Sequence, residues 1–156
     1  MATVPSTATK AVNDPITAAW ANDNVKSPID FINAPPECQV YDAAGLTITN
    51  STFTLLTFNT EAYDTDSMHS TSSNTSRINI NTSGMYEVEL YVNLPTATYT
   101  VFSVNMRLNS GGASGGGTSV FTHQTGSPGG APQQLYRSVK MPLTSGNYYE
   151  FFVFQT

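Results

Sequence analysis

At 156 residues the chain has room for one domain and an appended arm, since domains cluster near ~100–150 residues. Only 11% of its residues are charged, under half of the ~25% usual in soluble proteins, so its polarity comes from Gly, Ser, Thr and Asn. A net charge of -5 with scattered Lys and Arg excludes a basic nucleic-acid patch, no run approaches the ~18 apolar residues of a membrane span, and a single cysteine, Cys38, forbids an intrachain disulfide.

The start, MATVPSTATK, has no basic stretch leading into an apolar run, so the reading expects no signal peptide and synthesis in a cytoplasm. Residues 1–36 then differ in kind from the rest. Asn13-Asp14 followed by Pro15 predicts a helix start, with Ile16, Ala19 and Trp20 at helical spacing. Ser27-Pro28 repeats the signal and predicts a second short helix through Ile29, Phe31 and Ile32, stopped by Pro35-Pro36. Ile16, Trp20, Val25, Ile29, Phe31 and Ile32 are too many large apolar groups for a free tail and too few for a core. They mark an anchoring arm.

Residues 37–156 read as strands between turns. Alternation is clearest over 85–94, where Tyr86, Val88, Leu90, Val92 and Leu94 share one face. It returns over 99–108 with Phe102, Val104, Met106 and Leu108 inward, and 149–154 is nearly all aromatic. Further strands are predicted at 39–41, 46–48, 53–58, 77–80, 119–123 and 135–141. Eight or nine short strands predict an all-β antiparallel sandwich behind a short helical arm. The Gly-rich segments 110–118 and 126–132 read as flexible connections, because neither leads into a helix as a phosphate loop does.

Sites for chemistry are sparse. Neither His69 nor His123 has zinc-ligand spacing, Gly-x-Ser-x-Gly is missing, and no cofactor motif occurs. Asp64, Asp66 and His69 crowd one loop, which reads either as a Ca²⁺ site or as Asx-turns holding a polar loop. Cys38 reads as a small buried residue. No catalytic residue, cofactor or metal is expected.

Several motifs in order carry a resemblance. Phe58-Asn59, the Tyr63 to Asp66 loop, Met68-His69, Ser76-Arg77 and the corner Gly84-Met85-Tyr86 resemble the trimeric jelly-roll superfamily of tumour necrosis factor and the complement globular head, in the variant carried by tailed-bacteriophage virion proteins. Ser145-Gly146-Asn147-Tyr148-Tyr149 looks like that family's entry to a late strand, with Asn147 in place of Asp, and the likeness covers residues 38–155. The arm, from Pro15 through Trp20 and Phe31 to Pro35-Pro36, is similar to the N-terminal segment of small structural proteins of phages infecting actinobacteria.

The resemblance implies a jelly roll, a homotrimer, and a virion structural protein, either a capsid decoration or a minor tail protein, contacting major capsid or tail proteins. Tyr91, Tyr148, Tyr149, Phe151, Phe152 and Phe154 are the expected trimer-interface residues, about half of the final aromatic run being sent outward by alternation. Family domains carry one more strand after the Tyr-rich one, so an edge is expected to stand open or to be filled by a neighbour's arm. The alternative is a host-receptor or glycan-binding module using Tyr41, Tyr63, Tyr99 and Tyr136.

Overall fold

Three nested strand pairs organise the chain, Ile78–Asn79 with Tyr148–Gln155, Gly84–Leu94 with Gln133–Leu143 and Val101–Leu108 with Thr118–Gly126, as in a long hairpin folded back over itself. The computed structural model describes residues 8–94, 100–126 and 133–156. The described residues contain nine strands: β1 (Cys38–Tyr41), β2 (Thr54–Leu55), β3 (Thr60–Asp64), β4 (Ile78–Asn79), β5 (Gly84–Leu94), β6 (Val101–Leu108), β7 (Thr118–Gly126), β8 (Gln133–Leu143) and β9 (Tyr148–Gln155). All pair antiparallel, and the protein is an all-β sandwich with a short helical arm.

One layer is a five-stranded sheet in the order β2-β9-β6-β7, with β4 also on β9. The other is split into two separate ribbons, β1–β3 and β5–β8. Between the layers lies a core that includes Phe58, Met68, Ile78, Ile80, Val88, Leu90, Val104, Met106, Phe151 and Val153. The alternation of β5 is realised: Val88, Leu90 and Leu94 are buried while Glu87, Glu89 and Tyr91 face out. At its start, Tyr86 donates its hydroxyl to the Thr82 carbonyl at 2.5 Å, which fixes the Gly-x-Tyr corner.

β6 and β9 depart from the alternation expected of them, because both of their faces are covered. Phe102 to Met106 and Tyr149 to Val153 are buried without interruption. Tyr149 and Phe151 enter the core, whereas Glu150, Phe152 and Phe154 lie on the far face of the sheet. There Phe53 packs on Phe154, ring centroids 5.0 Å apart, and the 110–117 segment covers Glu150. The expected outward half of the aromatic run is therefore not found at Phe152, which is 2% exposed, and Tyr148 and Phe154 are half-buried.

That Gly-rich segment is a built turn and not a loose connection. Gly117 has φ +57°, and a Cβ there would lie 1.9 Å from the Leu108 carbonyl oxygen, so only glycine lets the chain close on β6. Part of the other Gly-rich segment, 127–132, and Tyr99 lie outside the described residues.

Strand bounds differ where tertiary pairing decides them. Residues 46–48 form no strand, and the predicted strand at 53–58 is reduced to Thr54–Leu55, paired with Val153 and Phe152 of β9, after which Leu56 adds one bond to the Phe151 carbonyl. β3, Thr60–Asp64, falls where the sequence suggests the polar loop; it has little apolar character and exists through its ladder with β1.

In the arm, α1 (Ala18–Ala21) begins three residues later than Pro15 suggests, because Asn13 sits in a left-handed turn at φ 72° and Thr17 is the cap, its Oγ1 accepting from the Trp20 N–H at 3.2 Å. A π turn over Asn22–Lys26 runs straight into α2 (Ser27–Asn33). Ser27 is not a cap. Pro28 has no N–H to offer the preceding turn, and the ladder before it widens so that the Ser27 N–H reaches the Asn22 carbonyl.

Candidate functional site

The acidic loop is held by its own carboxylate. Asp64 Oδ1 accepts from the N–H groups of Asp66 at 3.1 Å and Met68 at 3.0 Å, and Oδ2 from that of His69 at 2.9 Å. This is the Asx-turn arrangement. His69 Nδ1 lies 2.8 Å from Glu61 Oε1 and Nε2 3.1 Å from the Thr75 carbonyl. Both ring nitrogens are thus engaged by partners within the fold.

Glu150, 1% exposed, sits in a cradle assembled from distant segments. It accepts from Ser76 Oγ at 2.8 Å, from the Gly112 N–H at 3.0 Å, from Arg77 Nε at 3.4 Å, and from Ser110 Oγ. Burial raises the Glu150 carboxyl, but the Ser110 and Ser76 hydroxyls, the Gly112 N–H and the Arg77 charge outweigh it and hold it below the usual glutamate range. An anion pocket of this kind is occupied by the protein itself.

The open feature is a slot in the split layer. Its volume is about 1200 Å³. Every residue from Cys38 to Asp42 and from Ser83 to Leu94 lines it, side chains of both orientations, whereas β3 contributes only Tyr63 and β8 only Tyr136. The bounding surfaces are thus the backbone edges of β1 and β5 that point away from their partners. Leu56, Ile78, Tyr149 and Phe151 form the floor. Tyr41 and Tyr63 stand on one bank and Tyr91 and Tyr136 on the other, each about half exposed. Cys38 lines the slot, and burial, then Asp64 and Glu61, push its thiol up to about 12.

The four acidic residues lining the slot, Glu37, Asp42, Glu87 and Glu89, are joined by no Lys or Arg. Glu89 accepts from Tyr136 Oη at 2.5 Å and Glu87 from Ser138 Oγ at 2.8 Å, both on the solvent face of the β5–β8 ribbon. At the sandwich edge Arg137 approaches His123 Nδ1 at 2.6 Å; partial burial and the Arg137 charge lower the His123 pKa and keep that nitrogen an acceptor.

No Cα of either helix lies within 8 Å of a Cα of the described strands. Ile16, Val25, Ile29 and Ile32 are exposed, Trp20 and Phe31 half-buried, and no residue of either helix is buried. Phe31 reaches the mouth of the slot beside Pro35 and Pro36. Of the expected trimer-interface residues, Tyr91 is exposed, Tyr148 and Phe154 are partly so, and Tyr149, Phe151 and Phe152 are interior. The slot is not legible in the sequence, since only the strand order reveals that β1 and β5 line it with edges that have no partner among the described residues.

Among the described residues, no cluster of three or more His, Cys, Asp or Glu is placed to hold a metal ion, and no helix is long and apolar enough to cross a membrane. Compared with family models and with curated proteins, the sequence matches none.

Proposed function

We propose that this chain is a non-enzymatic structural protein of a virion, a capsid decoration or minor tail protein of the tailed-bacteriophage kind its motifs resemble, which docks through its arm and displays the sandwich as a homotrimeric knob. The observation that carries this reading is the arm, whose Val25, Ile29 and Ile32 stay exposed to solvent. Apolar groups in that state are stabilised by docking on another surface. The exposed pair Tyr91 and Tyr136, directly opposite in the β5–β8 ladder, offers the trimer a contact surface of the amphipathic kind common at interfaces. Glu150, Asp64 and His69 are engaged in holding the fold, which favours a structural role over a catalytic one.

Deleting residues 1–36 tests it. The shortened chain is expected to stay out of assembled particles while the intact chain sediments as a trimer. Normal incorporation of the shortened chain, with a monomeric mass for the intact one, overturns the reading. The exposed tyrosines around the slot favour one second reading, a host-receptor or glycan-binding module, through ring stacking on sugars. A glycan array probed with the intact chain separates the two.

A further inference from the structure

The two ribbons of the split layer are not hydrogen-bonded to each other, and the slot between them has on each side a strand edge with no partner among the described residues. Extended backbone carries one donor and one acceptor per residue, and alternate residues of β1 and β5 aim theirs away from β3 and β8. We propose that the slot between β1 and β5 binds an extended, basic polypeptide strand from another protein, which joins both ribbons into one continuous sheet by backbone hydrogen bonding.

Three properties of the slot define that occupant. Its volume of about 1200 Å³ exceeds the ~300–1,000 Å³ of small-molecule pockets. Its longer bank, the 11 residues of β5, extends for about 36 Å, the length of a peptide and not of a compact ligand. Its floor and inner bank are apolar, with Val40, Val88, Leu90 and Phe151 turned toward the core, so alternate residues of the inserted strand must be apolar.

The remaining residues of that strand would emerge on the solvent face, and there charge selects them. Glu87 and Glu89 lie on that face of β5, Glu37 flanks β1, and Lys140 stands opposite Glu87 on β8, away from the slot. Directly opposed unlike charges stabilise a strand pair and like charges destabilise it. Lys or Arg on the outward positions therefore fits both banks, and Asp or Glu is rejected. The inference depends on the slot and not on the virion reading, so either can fail alone.

The probe is a synthetic peptide of alternating Val and Lys, with two controls: one in which Glu replaces Lys, and one N-methylated on alternate residues so that one edge cannot donate. Saturable one-to-one binding of the first by the intact chain is expected, with slowed amide exchange along β1 and β5 and none along the edge strand β7. The Glu and N-methylated peptides are each expected to bind at least ~10-fold more weakly. With Glu87→Lys and Glu89→Lys combined, preference should invert toward the Glu peptide, which also shows that the variant is folded. No binding by the intact chain, equal binding of all three peptides, protection at β7 instead, or protection of β1 and β5 by self-association without peptide overturns the proposal.

Discussion

Ser76 donates its hydroxyl to Glu150 Oε1 across 2.8 Å, joining the segment before β4 to the middle of β9 over 74 residues of chain. The same carboxylate receives Ser110 and Gly112 from the Gly-rich turn, so one buried anion gathers three separate segments. Replacing Glu150 by Ala leaves the donors around it buried without their acceptor. Urea unfolding is expected to show a loss of about 3 kcal/mol.

Acid should act on the same residue. The Glu150 carboxyl is held below its ordinary value of 4.5 in the folded chain, so the unfolded chain takes up the proton more readily. Its stabilising contribution is therefore complete above the unfolded value and is lost as pH falls through the lower folded one. Stability measured from pH 7 downward should fall below about pH 4.5, and Glu150→Gln should flatten that part of the curve. An unchanged acid limb in the variant contradicts the assignment.

Gly117→Ala places a methyl group against the Leu108 carbonyl in a left-handed backbone conformation. The expected cost is ~2 kcal/mol or more in thermal or urea unfolding. Gly115→Ala, where a Cβ would meet nothing within 4 Å, is the control and should change stability little.

Cys38 should be a poor nucleophile. With its thiol pushed up to about 12, thiolate is scarce at pH 8, and reaction with a disulfide reagent should run at least ~100-fold slower than with a free thiol. Rapid modification of the native chain would show the thiol to be better solvated than its place beside Asp64 and Glu61 implies.

The exposed face of the arm permits a separation of folding from docking. Ile29→Ser with Ile32→Ser removes apolar groups that are half to three-quarters exposed, so the melting temperature should stay near that of the parent. Incorporation into particles, by the reading proposed above, should fall sharply.

How much of this was legible depended on the range of the determining contacts. The period-two pattern of Tyr86 to Leu94 announced β5 because the core covers one of its faces and water the other. The same logic misled at Phe152, since nothing local indicates that the 110–117 segment folds across the outer face of β9. β3 went unread because Thr60–Asp64 owes its shape to β1, and the cradle around Glu150 because its donors lie up to 74 residues away. In the arm, Ser27-Pro28 gave the right place for a helix and the wrong reason, the proline altering a helix already under way.

The position of β9 has a consequence for how the chain is made. β9 comes after all the other described strands in sequence, yet β2, β4 and β6 all pair with it, so it is the seam of the larger sheet. A ribosome must release residue 155 before that seam can close. Until then the earlier strands wait with their apolar faces uncovered, a long-range topology that folds slowly and gives chaperones time to engage the nascent chain.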